Sequence, residues 1–342
     1  MLSSSSCGGS AASPTATATL VPIGAGLLGR AWLSATVYAT SLKTASAFAL
    51  DADGRLWVAT ADYTDRSKDG LYVVTQAGAS PREVVSGLHT PLGLLWFAGS
   101  LYVTSHARVD AYTGFNGAAF ATHRTIITLA AGVGENNALV LAPDGRMLMG
   151  ISAPCDHCRP SNTDSGAIIS FLPDGTDIEV YASRIRAPVG LAFYPGTSEL
   201  FVTMNQRDDL GTRTPGDWLA VVKQGQSWGF PDCYGQGGTV CSGVPQPLVV
   251  LDKHAAVSDV AIVTGQFGDT IGNAALVAEW SDGLVQDVAL TKTVSESAGS
   301  VTPFLRGVQR PVALLLTTQG VLFVGDWETG KIYRVAASSR SA

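Results

Sequence analysis

One long segment between two predicted strands contains a group of charged side chains whose types could bind a ligand. Charged residues make up 15% of the 342 residues. Residues 205–247 nevertheless contain a cluster of them: Arg207, Asp208, Asp209, Arg213 and Asp217. Carboxylate oxygens are the ligands that a hard cation such as calcium prefers. Asp208 and Asp209 are therefore candidate calcium ligands, the alternative being that they cap a turn in water.

Four of the five cysteines fall into two close pairs, Cys155/Cys158 and Cys233/Cys241. Even pairing at short spacing favours disulfides, which are typical of exported proteins. The Cys155-Asp-His-Cys158 segment could also suggest a zinc or redox site, but one such pair without a second pair of ligands is weak evidence for zinc. We therefore predict two disulfides that restrain loops.

The elements that must position these loops repeat six times. Each copy has a short apolar strand, a turn built on Asp-Gly or its equivalent, and a second strand of the form Leu-aromatic-Val, as in AFALDADGRLWVAT from Ala47. The second strands follow one another at steps of 45, 46, 53, 76 and 46 residues, beginning at Leu56, Leu101, Met147, Leu200, Leu276 and Leu322. A period of roughly 40–50 residues with several strands per unit predicts an all-β fold, a six-bladed β-propeller. A β-sandwich would not explain a fixed four-strand unit.

One additional strand has a role in this arrangement. The segment TVYATSL, residues 36–42, precedes the first blade, whereas the sixth unit stops after its third strand. We predict that this N-terminal strand completes blade six beside residues 331–335, which closes the ring and removes a bare sheet edge. The propeller should form a single domain over residues 20–338.

Composition limits the partners and the location. The net charge of −6 is not accompanied by a basic patch, which argues against nucleic acid as a partner. Residues 1–19 are rich in Ser, Ala and Thr, and such a segment is expected to be a disordered tether. Cys7 followed by two glycines resembles the start of a mature bacterial lipoprotein, although the preceding serines form a poor lipobox. We expect an exported protein, periplasmic or extracellular, whose membrane contact would be a lipid on Cys7 unless that cysteine is an accident.

Four segments carry a resemblance to a known family. They are SAPCDHC from Ser152, RIRAPVGLAFYPGTSELFVTMNQRDDLG from Arg184, PGDWLAVVKQGQSWGFPDCYG from Pro215, and RPVALLLTTQGVLFVGDWETGKIYRV from Arg310. They resemble the soluble quinoprotein glucose/sorbosone dehydrogenase family, and its sorbosone-dehydrogenase-like branch most closely. The resemblance implies a six-bladed propeller that oxidises the C1 hydroxyl of a sugar or related polyol with pyrroloquinoline quinone (PQQ) and calcium.

The same resemblance implies a set of site residues. Arg186 falls on the arginine that polarises a quinone oxygen. Arg310 is a partner for a PQQ carboxylate, and Asn205 belongs to the segment that contacts the cofactor. The implied calcium ligands are main-chain carbonyls near Gln206 and Arg207, next to the carboxylates of Asp208 and Asp209 already considered as calcium ligands.

Two departures from the family pattern place catalysis in doubt. The family's catalytic histidine is replaced by Gly134, and the asparagine of its Arg-Asn-Pro motif by Ala187. A general base contributes typically 10²–10⁴-fold to the rate. Glu135 and His254 are the candidate replacements, and His106 also lies near an inner strand.

The leading function is PQQ- and calcium-dependent oxidation of a sugar or related polyol. The alternatives are a degenerate propeller that binds a carbohydrate or a partner protein and, by fold analogy alone, a calcium-dependent lactonase.

Overall fold

The chain forms six antiparallel sheets around a central channel in a computed structural model, which describes residues 19–64, 69–234, 241–268, 271–290 and 298–338. Five sheets have four strands and one has six. The predicted six-bladed propeller is therefore confirmed. The predicted tether and Cys7 lie outside the described residues, except for Thr19. Within those ranges, no helix has the length and apolar character needed to cross a membrane.

Each blade is a run of strands consecutive in sequence, apart from the outer strand of blade six. The chain starts with β1 (Val21–Gly24), β2 (Leu27–Gly29) and β3 (Leu33–Ala39). Blade one contains β4 (Ala45–Leu50), β5 (Leu56–Thr60), β6 (Asp69–Val74) and β7 (Arg82–Leu88). Blade two contains β8 (Gly93–Phe97), β9 (Ser100–Ser105), β10 (Arg108–Phe115) and β11 (Phe120–Thr128). Blade three contains β12 (Asn136–Leu141), β13 (Met147–Ile151), β14 (Ala167–Phe171) and β15 (Glu179–Ser183).

The second half of the ring continues in the same way. Blade four contains β16 (Pro188–Phe193), β17 (Leu200–Met204), β18 (Trp218–Val222) and β19 (Val249–Val250), with a short 3₁₀ helix (Gly211–Arg213) between β17 and β18. Blade five contains β20 (Val257–Val263), β21 (Ala274–Glu279), β22 (Leu284–Leu290) and β23 (Ala298–Arg306). Blade six contains β24 (Pro311–Leu316), β25 (Val321–Asp326) and β26 (Ile332–Ala337). The predicted second strands begin within two residues of β5, β9, β13, β17, β21 and β25.

The first turn shows why the repeated segment folds as a hairpin. Gly54 has a φ of 77°, a left-handed conformation that glycine adopts without steric cost. Asp51 accepts hydrogen bonds from the backbone N–H groups of Asp53 and Arg55, both at 3.0 Å. It also accepts one from the indole N–H of Trp57 at 2.9 Å. The aspartate thus fixes the turn and the first aromatic residue of the next strand.

Neighbouring blades are joined at the channel by polar side chains of the inner strands. Asn137 donates from Nδ2 to the carbonyl oxygen of Pro188 at 2.8 Å, and Thr104 donates to the carbonyl oxygen of Asn137 at 2.8 Å. Ser258 donates to the carbonyl oxygen of Pro311 at 3.2 Å. These bonds satisfy backbone carbonyls that would otherwise be buried without partners.

The N-terminal strand closes the ring as predicted. β3 pairs with β26, with Val37 opposite Tyr333 and Ala35 opposite Val335. The strand lies about three residues earlier than predicted, because Ser41 has a left-handed φ of 67° that ends the extended conformation. The hairpin of β1 and β2, which the sequence did not predict, adds to the outer edge of blade five through β23.

We predict that removing the closing strand destabilises the whole ring. Deleting residues 1–42 removes the buried Leu33 and Tyr38, each worth about 1.5–3 kcal/mol, and exposes the edge of β26. Thermal unfolding followed by circular dichroism should show a melting temperature lower by about 10 °C or more, or the variant should aggregate. A control lacking residues 1–18 retains every described strand and should melt like the parent. Equal melting of both variants would contradict the closing role.

Candidate functional site

The central channel contains a cavity of about 560 Å³, within the range of small-molecule sites. Residues from the inner strands of all six blades line it. Its aromatic residues are Phe48, Tyr63, Trp280 and Trp327. Trp280 and Trp327 meet edge to face, with ring centroids 6.0 Å apart. The indole N–H of Trp327 donates to the carbonyl oxygen of Ala61 at 2.9 Å, which fixes this side chain.

The charged residues that line the cavity, within the described ranges, are all acidic: Asp62, Glu135 and Asp259. Asp259 is held by backbone N–H donors of Leu314, at 3.0 Å, and Val260, at 2.9 Å. Burial raises the pKa of Asp259 to about 7, although these two hydrogen bonds oppose the shift. Asp259 therefore spans the joint between blades five and six while it faces the channel.

Glu135 lies in the channel wall, and His106 stands beside it. The Glu135 Oε2 to His106 Nδ1 distance is 3.5 Å, and both side chains are one-third exposed. Both atoms are buried and have no hydrogen-bond partner. The prediction that Glu135 or His106 could stand near the channel is compatible with this geometry.

Gly134 is not a vacant position for a base. A Cβ atom there would lie 2.1 Å from the carbonyl oxygen of Ser152 and 2.8 Å from that of Ala153, contacts that only a backbone shift could relieve. A histidine introduced at this position would displace the segment rather than restore a base.

The predicted disulfides are both present, Cys155–Cys158 and Cys233–Cys241. The first of them holds a loop whose Asp156 joins three separate groups. Its carboxylate accepts from Arg186 Nη2 at 2.6 Å and from the backbone N–H groups of Asp208 and Asp209, at 3.0 and 2.8 Å. The loop therefore positions the start of the long segment after β17.

All three nitrogens of the Arg186 guanidinium take part in this junction. Besides the bond to the Asp156 carboxylate, Nε donates to the Asp156 carbonyl oxygen at 3.1 Å and Nη1 to the Asn205 carbonyl oxygen at 3.0 Å. Asn205 itself lines the cavity, and its Oδ1 is buried without a partner. The structure thus brings Arg186 and Asn205 together, as the prediction of a shared site requires.

The residues predicted to bind calcium carry other interactions. Arg207 Nε donates to Asp209 at 2.5 Å, and this hydrogen bond lowers the pKa of Asp209 to about 2. Asp208 contacts His254 Nδ1 at 2.6 Å, which raises the pKa of His254. Gln206 is buried, and its backbone N–H donates to Asp217 at 2.7 Å. The metal assignment stays a prediction.

Two further candidates lie apart from the Asp156 junction. His254 is 44% exposed and does not line the cavity, and the hydrogen bond to Asp208 raises its pKa, which favours the protonated imidazole that cannot accept a further proton. Arg310 Nη1 donates to the carbonyl oxygens of Trp280 and Ser281, at 3.2 and 2.9 Å, and its guanidinium lies 4.3 Å from the centre of the Trp280 ring. Arg310 thus supports an aromatic residue of the channel wall.

Sequence reasoning missed Asp156 and Asp259. Asp156 lies between two cysteines, and the pattern indicates a disulfide or, less strongly, a zinc or redox site, with no separate role for the aspartate. Asp259 had a visible signal, because it is a single charge within the apolar inner strand VSDVAIV. A carboxylate in such a strand must face either a partner or a cavity.

Comparison with known proteins was made against family models, curated proteins and solved structures. No family model and no curated protein matches the chain. Among solved structures, an AA12-family carbohydrate-active enzyme from Trichoderma reesei superposes with a TM-score of 0.75 at 17% identity, covering 92% of this chain and 98% of that one. The chain has its fold.

Two bacterial structures are similar as well. The PQQ-bound aldose sugar dehydrogenase from Streptomyces coelicolor gives a TM-score of 0.70 at 19% identity, covering 91% of this chain and 100% of that one. The soluble aldose sugar dehydrogenase from Escherichia coli, in its apo form, gives 0.67 at 15% identity, covering 90% and 100%. The resemblance noted in the sequence is therefore confirmed at the level of the fold, while the sorbosone-dehydrogenase-like branch stays a prediction.

We predict that Asp156 stabilises the loop junction. Asp156→Ala leaves the Arg186 guanidinium and two backbone N–H groups without their acceptor, which should cost about 2–3 kcal/mol of unfolding free energy. Urea unfolding and limited proteolysis of the segment after β17 would measure this. The control Asp53→Ala removes a 69%-exposed partner of Arg55, which should change stability by about 0.5 kcal/mol at most. Equal effects of the two substitutions would show that the junction is not stabilising.

The raised pKa of Asp259 predicts a pH dependence of stability. Between its ordinary value of 3.8 and about 7, the folded protein keeps a proton that the unfolded chain has released, so the unfolding free energy falls as pH rises through this window. Asp259→Asn removes this contribution and should gain stability, relative to the parent, by at least about 1 kcal/mol more at pH 8 than at pH 4.5. Urea unfolding at both pH values measures it. The exposed turn substitution Asp144→Asn should show no such difference, and a pH-independent effect of Asp259→Asn would contradict the assignment.

Proposed function

We propose that the central channel binds a neutral, hydroxyl-rich small molecule, a sugar or related polyol. The observation that carries this proposal is the set of unused hydrogen-bond acceptors in the wall. Among the described residues, Asn205 Oδ1 is buried without a partner, Glu135 Oε2 is buried without a hydrogen bond at 3.5 Å from His106 Nδ1, and both residues line the cavity. Buried acceptors require donors, and hydroxyl groups supply them.

The aromatic residues support the same ligand class. Sugars present C–H faces as well as hydroxyl groups, and ligand sites commonly combine apolar and aromatic walls with a few well-placed polar groups. Trp280 and Trp327 are both oriented by their neighbours, through Arg310 in one case and the Ala61 carbonyl oxygen in the other. These contacts thus hold both indole rings in position without a ligand.

The described lining residues do not fit PQQ. PQQ carries three carboxylates and requires cationic or N–H donors, whereas the charged residues that line the cavity are acidic. Arg186 is engaged by Asp156 and by a backbone carbonyl, and Arg310 by two carbonyls. A tricarboxylate entering this channel would meet like charge.

A second candidate is the PQQ- and calcium-dependent oxidation of the bound sugar. Two observations favour it: the fold shared with proteins described as sugar dehydrogenases, and the Glu135 carboxylate beside His106, which could accept a proton from a hydroxyl group. The acidic lining of the channel is unfavourable for this candidate, because PQQ is anionic.

We also propose that the protein is exported, since two disulfides are typical of oxidising compartments.

Binding measurements separate the two candidates. Isothermal titration calorimetry with a panel of neutral sugars and polyols should find a ligand that binds with one site per chain. Glu135→Gln should weaken that binding about 10-fold or more, since a hydrogen bond to a charged group contributes about 1.5–3 kcal/mol. Trp280→Ala removes an aromatic ring from the cavity wall and should also weaken it about 10-fold or more. The control Glu179→Gln changes an exposed glutamate on the outer strand of the same blade as Glu135 and should bind like the parent.

The result with PQQ decides which candidate stands. We expect no binding of PQQ, with or without calcium, and no sugar-dependent dye reduction. Tight PQQ binding with dye reduction would establish the second candidate instead. If no sugar or polyol binds, or if the channel variants bind as the parent does, the proposed function is wrong.

A further inference from the structure

Three carboxylates meet beside the channel without a role in the proposed function. They belong to Asp252, Glu279 and Asp282, and one oxygen from each lies within 4.8 Å of the others. Asp252 precedes β20, Glu279 ends β21, and Asp282 lies in the turn between β21 and β22. Two segments, the connection from blade four to blade five and the end of β21 with its following turn, therefore converge on one point.

Glu279 distinguishes this cluster from a group of acidic residues on the surface, because it is buried and one of its oxygens is unpaired. Its side chain is fully buried, at 0% exposure. One oxygen, Oε2, accepts from Gln286 Nε2 at 3.2 Å, whereas Oε1 is buried without any hydrogen-bond partner. A buried carboxylate oxygen without a donor is costly unless a cation compensates it.

The protein itself does not supply that cation. Within the described ranges, the three carboxylates take part in no ion pair with a lysine, arginine or histidine. Arg306 and Arg310 act on Asp282 electrostatically, but from beyond ion-pair distance. Within the described ranges, the cluster therefore has no cationic side chain within ion-pair distance.

We propose that Asp252, Glu279 and Asp282 bind one calcium ion. The three side chains offer only oxygen, which calcium prefers, whereas zinc favours nitrogen and sulfur ligands. Calcium holds its ligands at about 2.3–2.6 Å, so oxygens around one ion are at most about 5 Å apart, in agreement with the observed spread. Asp252 and Asp282 are exposed, which provides an entrance and room for water as further ligands. This site is distinct from residues 206–209.

An ion here would act on the channel wall. Trp280 directly follows Glu279 and lines the cavity. Its backbone N–H donates to Ala256 at 3.2 Å, and that of Ser281 donates to Ala255 at 2.9 Å. Calcium would thus tie the loop before β20 to the turn that carries Trp280. The proposal does not depend on which ligand the channel binds.

Calorimetric titration of the chelator-treated full chain with calcium chloride tests the proposal. We expect one site per chain with a dissociation constant between about 10⁻⁷ and 10⁻³ M, the range of sensor and extracellular calcium sites. Asp252→Asn and Asp282→Asn change exposed residues and should fold normally, as checked by circular dichroism. Each should weaken calcium binding about 10-fold or more. The turn variant Asp144→Asn serves as the control and should bind as the parent does.

Two further measurements keep the proposal open to refutation. Calcium should raise the melting temperature of the parent, because the ion binds only the folded state, and Glu279→Gln should abolish that rise. Absence of calcium binding up to about 10 mM, tenfold above that range, would overturn the proposal. Parental affinity in Asp282→Asn would overturn it too. If Asp209→Asn loses binding while Asp282→Asn keeps it, the ion belongs to residues 206–209 and the proposal is wrong.

Discussion

The structure depends on the close approach of six inner strands around one axis. At Gly93, Gly150 and Gly190, an added Cβ atom would lie 2.2–2.5 Å from a backbone carbonyl oxygen of the next blade, so backbone packs against backbone at these joints. The width of the channel is therefore set by the ring, not by side chains that could be exchanged freely. Asn137 and Asp259 hold neighbouring blades together and also face the cavity. The acceptors left for a ligand are those that the joints do not use, Glu135 Oε2 and Asn205 Oδ1.

The loops at the channel are ordered by a chain of restraints that begins with a covalent bond. The Cys155–Cys158 disulfide fixes the backbone of Asp156, and the Asp156 carboxylate in turn fixes Arg186 and the backbone of the segment after β17. The guanidinium of Arg186 is therefore paired with a carboxylate of the protein before any anionic ligand could reach it. A charged residue that a motif assigns to catalysis or cofactor binding makes structural interactions here. The same holds for Arg310, whose donors are directed at backbone carbonyls.

The fold could be predicted from the sequence because the pattern that specifies each blade is local and recurs along the chain. An apolar strand, an Asp-Gly turn and a second apolar strand recur, and each copy is confirmed by the others. The N-terminal hairpin was missed because β1 and β2 are short and contain glycine and proline, which give no strand signal of their own. The site was harder to predict, since its contacts cross blades: Asp156 meets Asp209 over 53 positions, and Asp259 meets Leu314 over 55. Motif resemblance correctly brought Arg186 close to Asn205, but it could not reveal that Asp156 neutralises the arginine.

A shared fold fixes where a ligand binds, whereas the charge of the wall decides which ligand is accepted. The channel of this propeller has an acidic lining, and a second acidic cluster includes Glu279, which directly precedes the channel residue Trp280. A divalent cation at Asp252, Glu279 and Asp282 would reduce the negative potential at the Trp280 side of the channel and hold that side chain in place. Its effect on a neutral polyol would come through the position of the indole, and its effect on an anion through the potential. The selectivity of the channel is therefore a property of both acidic clusters together.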